Sequence, residues 1–240
     1  MQSNLEHHVI DSQAIGSEYR FSILTAASTH RLKECYLLLV HDGYDYLKLG
    51  HLQKIFVTFT PQEVQKLLFV LLPPGDSQQR WHYYHALGKD QLHYLHFIYD
   101  ELLPYLKAFT RERGLKVVKR GMIGDSLAGA ASYRIALKKP RKWTHILLQS
   151  AAFCKEDLVM MHEDGKTLPW IVYQCVGTKE DQFISPLTNE RLYIYSRNQT
   201  AKKYFKRSAT QFFYKEKEEA HLWAFWRKDL PAAIHIFIHF

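Results

Sequence analysis

Apolar residues arrive along this chain in short runs separated by polar turns. Residues 18–24 alternate polar and apolar, the pattern of a strand with one wet face. Residues 35–40, Cys35-Tyr36-Leu37-Leu38-Leu39-Val40, are apolar without a break, and 66–72, 116–123, 145–149, 170–176 and 210–214 are read as further strands. Unbroken runs of this length suit strands covered on both faces. Helical spacing appears between them. Leu92, Leu95, Tyr99, Leu102 and Leu106 fall three and four apart, with Pro104 expected to kink or restart that helix. A helix rich in small residues follows position 126 and stops at Pro140, a basic helix is expected over about 188–207, and a last one over 224–238. Residues 1–30 are read as one or two strands, the first over 5–10. Residues 46–66 are read as loop and helix, 77–87 as a polar and aromatic loop, and 151–168 as loop. Strands alternating with helices predict an α/β protein: a mostly parallel central sheet with helices on both faces, in a single domain spanning 1–240. The short interval between Leu148 and Trp170 leaves no room for a large cap domain.

The most informative turn is Gly124-Asp125-Ser126-Leu127-Ala128-Gly129, where the 116–123 strand meets the helix after it. A strand that passes sharply into a helix through Gly-x-Ser-x-small is the pattern of a nucleophile elbow, with the serine hydroxyl pointing outward from a strained turn. Small residues are required because strand and helix approach closely there. Gly124 meets that need. Ala128 stands where the pattern usually has glycine, and it is still small. A glycine-containing turn without chemistry fits the pentapeptide about equally well, so the rest of the chain has to decide.

Composition narrows the classes. The chain has 240 residues, 47% of them hydrophobic, enough for a large core in one domain. Cys35, Cys154 and Cys175 are odd in number and far apart, with no Cys-x-x-Cys pair. They point to neither a disulfide framework nor a zinc knuckle, and fit a reducing compartment. The polar N-terminus lacks the apolar stretch of a signal peptide, and no apolar run is long enough to span a bilayer. The expectation is a soluble cytoplasmic protein with no membrane partner. The net charge of +8 comes from 32 Lys and Arg against 24 Asp and Glu. It is spread out, with loose clusters at 138–142 and 202–207. Solvated helix faces account for it better than a nucleic-acid groove, so no nucleic-acid partner is expected. A homodimer is compatible with the sequence.

In a sheet of this kind reactive groups gather at the carboxyl ends of the strands. Ser126 lies at one such end, Gly177-Thr178-Lys179-Glu180-Asp181 at a second, His221 beyond the last strand, and His41-Asp42-Gly43-Tyr44 at an early one. The chain order is serine, acid, histidine, the order found in α/β-hydrolases. A serine hydroxyl is a weak nucleophile until a base takes its proton, and imidazole titrates near neutral pH, which gives His221 that role. A carboxylate would fix the imidazole tautomer and stabilise the imidazolium. Asp181 is favoured over Glu180, because it lies deeper in the loop and ends the Gly-x-x-x-Asp run. The oxyanion would take the N–H of Leu127, next to the nucleophile, and that of Tyr44 in the early loop. Trp223 and Arg80 could line a pocket, but aromatic packing and a surface charge are the favoured readings. His82 with His85, His93 with His96, and His235 with His239 stand three or four apart but lack a cysteine or clear carboxylate partner, so neither metal nor cofactor is expected.

Three stretches give the chain a resemblance to a known group: Asp42-Gly43-Tyr44-Asp45-Tyr46, Ile123-Gly124-Asp125-Ser126-Leu127-Ala128-Gly129, and His221-Leu222-Trp223-Ala224-Phe225-Trp226-Arg227-Lys228-Asp229-Leu230-Pro231. They resemble the putative esterase family of α/β-hydrolases, which includes esterase D and enterochelin-esterase-like proteins. The last stretch resembles that family's His-x-x-x-x-Trp…Leu-Pro ending. The resemblance implies an α/β-hydrolase fold, Ser126 as nucleophile, His221 as base and Asp181 as acid. Ala128, and the aspartate beside Gly43 where many hydrolases have His-Gly, depart from the pattern.

The first functional expectation is a serine esterase that hydrolyses a small acyl ester or thioester through an acyl-Ser126 intermediate, in a fairly open site. A second is a binding or scaffold protein that keeps the fold without turnover, since fold does not guarantee activity.

Overall fold

The computed structural model describes residues 2–27, 33–163, 165 and 167–240. The strands are β1 (Ser3–Ser12), β2 (Ser17–Ala26), β3 (Glu34–His41), β4 (Leu67–Leu72), β5 (Lys116–Asp125), β6 (His145–Gln149), β7 (Leu168–Gly177) and β8 (Ala209–Lys217). They form one eight-stranded sheet in the order β1-β2-β4-β3-β5-β6-β7-β8. β1 and β2 make an antiparallel hairpin, and β2 runs antiparallel to β4. All later pairs, from β4–β3 to β7–β8, are parallel.

Parallel neighbours need crossovers, and helices supply them. Between β3 and β4 lie α1 (Gly43–Lys48), α2 (Ile55–Thr58) and α3 (Pro61–Val64). Between β4 and β5 come α4 (Ser77–Tyr84), α5 (Gln91–His96) and α6 (Leu103–Glu112), the last two joined by a π-helical turn over Phe97–Leu102. α7 (Ser126–Lys138) follows β5, α8 (Lys155–Glu163) follows β6, α9 (Ile194–Ser208) follows β7, and α10 (Trp223–His239) ends the chain.

The unbroken apolar strands are explained by two cores, one on each face. Leu37 and Leu39 of β3 pack with Leu68, Val70 and Leu72 of β4 under α4–α9. Leu38 and Val40 pack with Leu67, Phe69 and Leu71 under α1–α3 and α10. Each such side chain, fully buried, is worth about 1.5–3 kcal/mol, so both faces drive the fold. The result is an α/β-hydrolase fold with helices on both faces of the sheet and no large cap domain among the described residues.

Several elements differ from the sequence expectation. β1 runs on to Ser12 and pairs with β2 along its whole length, from Ser3 opposite Ala26 to Ser12 opposite Ser17. Met1 and 28–30, part of the stretch read as one or two strands, lie outside the described residues. The segment 77–87 is not a loop: it holds α4, capped by the Asp76 side chain, which accepts from the Gln79 N–H at 2.8 Å. The segment 151–168 holds α8, whose first turn carries Glu156 and Asp157; residues 164 and 166 of it lie outside the described residues. Pro104 occupies the first turn of α6, directly after the π turn, where its missing N–H is tolerated. The basic helix begins at Ile194 rather than near 188.

Candidate active site

Ser126 is the first residue of α7 and has φ 47°, a left-handed conformation that a residue with a Cβ rarely adopts. Two glycines allow the turn. A Cβ on Gly124 would lie 2.5 Å from the Ala128 carbonyl carbon, and one on Gly129 would lie 2.9 Å from the Gly124 carbonyl oxygen. The carbonyl of Ser126 is held by the Ala152 N–H at 2.7 Å, which ties the turn to the end of β6. Ala128 is fully buried, so a methyl is accommodated where the pattern has glycine.

His221 lies between β8 and α10 and is 7% exposed. Its Nε2 is 2.8 Å from Ser126 Oγ, and its Nδ1 is 3.1 Å from Glu180 Oε2. With the ring proton on Nδ1, the imidazole donates to Glu180 and accepts from the serine hydroxyl. The ring is walled by Trp226, edge-on at 4.8 Å, and Phe183 at 4.4 Å. Glu180 is 0% exposed and holds three partners: His221 on Oε2, with Ser150 Oγ at 2.6 Å and the Gly177 N–H at 3.0 Å on Oε1.

Asp181, expected as the acid, is not the carboxylate beside His221; Glu180 holds that place. Asp181 turns away and accepts from the Ser196 N–H at 2.9 Å and Oγ at 2.5 Å, in the first turn of α9. A carboxylate is well placed there against free helix N–H groups. Glu180 faces inward beside Gly177, where a Cβ would lie 2.2 Å from the Glu219 carbonyl oxygen and 2.9 Å from Glu180 Oε1, so only glycine leaves room for the carboxylate.

The early loop holds Asp42, which is buried and has φ 56°, followed by Gly43. A Cβ on Gly43 would lie 2.4 Å from the Leu71 Cα, so only glycine lets α1 start against β4. Tyr44 sits in the first turn of α1, ahead of the Asp45 and Tyr46 N–H groups that both bond to the Asp42 carbonyl. Its phenol turns toward β2, 3.5 Å from Ser22 Oγ. Arg80 is not a free surface charge: its Nε and Nη2 donate to Asp42 Oδ2 at 2.8 and 2.6 Å. Burial, with the charge of Asp42 adding to it, pushes the Asp125 carboxyl well above the usual carboxylate range.

A cleft of about 380 Å³ opens onto Ser126, Leu127 and His221. Arg80 and Trp81 of α4, Trp223 and Trp226 of α10, and Phe183, Pro186, Leu187 and Leu192 line it. The last four belong to a small hairpin over 183–192, closed by Ser185 N–H to Glu190 O at 2.8 Å and Leu192 N–H to Phe183 O at 3.2 Å. Ser150, Arg134 and Asp157 are the structural residues that sequence reasoning missed. Arg134 of α7 donates to both carboxylate oxygens of Asp157 at 2.7 Å and to the Tyr84 carbonyl, pinning α8 and α4 together behind the cleft. An arginine in the run 128–136, whose other residues are small or apolar apart from Ser132 and Tyr133, was the available signal. Among the described residues no three His, Cys, Asp or Glu side chains gather as a metal-binding group, and no helix is long and apolar enough to cross a membrane.

Comparison with known proteins agrees with this architecture. The chain is 23% identical over 226 residues to the uncharacterized protein YjcH of Bacillus subtilis (strain 168), covering 93% of this chain and 92% of that protein. Among solved structures it is similar to the enterobactin esterase FES from Shigella flexneri, with a TM-score of 0.79 at 16% identity. That match covers 98% of this chain but 58% of the Shigella protein, so the chain spans well under two thirds of that relative. It is also similar to a ferulic acid esterase, with TM-score 0.70, 15% identity and coverage of 98% and 99%. The BES protein from Bacillus cereus gives TM-score 0.71, 15% identity and coverage of 100% and 98%. At these identities the structural likeness is one of fold. The model of the family described as "Putative esterase" matches residues 12–237, nearly the whole chain, and the chain therefore belongs to the putative esterase family.

Proposed function

We propose that this protein is a serine esterase acting on a small acyl ester or thioester, with Ser126, His221 and Glu180 as its triad. The observation that carries the reading is the continuous contact from Ser126 Oγ to His221 Nε2 at 2.8 Å and from His221 Nδ1 to Glu180 Oε2 at 3.1 Å, at the foot of a cleft.

Ser126 Oγ attacks the acyl carbonyl while His221 Nε2 takes its proton. Glu180 holds the imidazole tautomer and stabilises the imidazolium. The N–H groups of Leu127 and Tyr44 receive the oxyanion; both lie in the first turn of a helix, where no intrahelical carbonyl reaches them. Collapse breaks the bond to the alcohol or thiol, which leaves with the proton from His221. Water then attacks the acyl-serine, His221 again taking the proton; collapse breaks the acyl bond to Ser126 Oγ, which takes that proton back from His221, and the free acid departs. No step calls on a cofactor or metal. The apolar and aromatic lining suits a small, largely apolar acyl group.

The test is hydrolysis of a short-chain p-nitrophenyl ester at neutral pH by the wild type and by Ser126→Ala, with labelling by a serine-reactive phosphonate alongside. Turnover and labelling that both vanish in Ser126→Ala are expected. No labelling of the wild type, or labelling unchanged by the substitution, would remove the esterase reading and leave a binding protein on the same fold.

A further inference from the structure

Ser150 stands one residue past β6, fully buried, with φ 51°. A left-handed backbone at a buried non-glycine residue is uncommon and calls for a reason. Its N–H donates to the Cys175 carbonyl of β7 at 2.8 Å, which pins the backbone between two strands. Its hydroxyl then bridges two groups, 2.8 Å from Trp226 Nε1 and 2.6 Å from Glu180 Oε1. An indole N–H can only donate. Ser150 Oγ therefore accepts from Trp226, and its own proton is directed to Glu180. The Gly177 N–H gives Oε1 a second bond at 3.0 Å, leaving Oε2 to face His221. The same indole lies edge-on to the His221 ring at 4.8 Å, so it touches both ends of the arrangement.

We infer that Ser150, oriented by Trp226, is a positioning residue: it clamps one oxygen of Glu180 so that the other is held toward His221. This inference rests on the serine-esterase reading above. It also accounts for glutamate at position 180. The longer side chain reaches Ser150 at the end of β6 and Gly177 at the end of β7 together, while Asp181, one residue on, bonds in α9.

The experiment is a double-mutant cycle on hydrolysis of a short-chain p-nitrophenyl ester, using the wild type, Ser150→Ala, Glu180→Ala and the double variant. Ser150→Ala is expected to lower kcat on the order of tenfold to a hundredfold with KM little changed, the scale of losing a hydrogen bond to a buried charge. In the Glu180→Ala background the same substitution is expected to change kcat by less than about twofold, because the hydroxyl acts through the carboxylate. A hydroxyl that serves only the fold would cost the same factor in both backgrounds. Additive losses, or a Ser150→Ala enzyme as fast as the wild type beside a slow Glu180→Ala, overturn the inference alone. Wild-type kcat in Glu180→Ala overturns the triad assignment, and the inference with it. Should Ser150→Ala fail to fold, Ser150→Gly carries the same cycle, since glycine accepts a φ of 51° without strain.

Discussion

Arg80 reaches from α4 to Asp42 in the loop after β3 and places Nε and Nη2 on a single carboxylate oxygen, at 2.8 and 2.6 Å. The Asp42 side chain is 2% exposed and that of Arg80 27%. This pair answers the aspartate beside Gly43. Alone, a buried carboxylate next to the proposed Tyr44 donor would repel the negative charge that builds on the substrate oxygen. Beside Arg80 that charge is balanced, and the loop is tethered to α4.

Arg80→Gln is therefore expected to lower kcat/KM on the order of tenfold and to destabilise the fold by about 3 kcal/mol, the cost of stranding a buried carboxylate. Adding Asp42→Asn is expected to recover most of the stability. Urea unfolding and steady-state kinetics on the three variants check this. A double variant no better than Arg80→Gln would mean that the arginine matters for something other than its partner.

Glu180→Gln keeps the shape of the side chain but favours the wrong imidazole tautomer, and is expected to reduce kcat on the order of a thousandfold. Asp181→Asn is expected to leave kcat within about twofold and to lower stability by about 1 kcal/mol, the value of a helix cap. Parallel kinetics on the two variants separate adjacent carboxylates. The reverse ranking would restore Asp181 as the acid.

The carboxylate beside His221 is Glu180 rather than the expected Asp181, for a physical reason. Glu180 and Asp181 share one turn, and nothing local says which faces in. The partner is Ser150, thirty positions away in the chain and just past the end of β6. By contrast the elbow was legible because its requirement is local: Gly124, Ser126 and Gly129 meet within one turn, and the packing of Ala128 against Gly124 needs no distant partner. The strand runs were legible because both faces of the sheet are covered, which removes polar alternation from β3 and β4. α4 was missed because its aromatic and polar residues lack a clean apolar stripe. The Asp76-Ser77-Gln78-Gln79 start was the signal, since Asp76 caps Gln79. Arg80 looked like a surface charge because its partner, Asp42, lies in a different crossover.

His41 supplies a pH prediction. It is fully buried, bonded through Nδ1 to Ser132 Oγ at 2.9 Å, and burial pushes its imidazole down to about 3. Its ordinary value is near 6.5, so the unfolded chain binds a proton between these values that the folded chain does not. The stabilising contribution is full above pH 6.5 and is lost as pH falls toward 3. Between pH 6.5 and pH 5 the loss is about 2 kcal/mol. Asp125, whose carboxyl is raised, works with the opposite sign, so the effect is read as a difference: wild type minus His41→Asn, by urea unfolding at pH 7.5, 6.5 and 5. The gap is expected to shrink by about 2 kcal/mol over the acid step. A constant gap would mean that His41 titrates alike in both states.

Asp181 and Ser196 close the base of the hairpin over 183–192 from outside, while Glu180 is fastened from inside by Ser150 and Gly177. The tip of the hairpin, beyond Phe183, is thereby held by bonds other than those on Glu180. None of the bonds that hold the Glu180 carboxylate comes from that tip. The wall of the cleft and the seat of the carboxylate are thus fastened by separate sets of bonds within one loop.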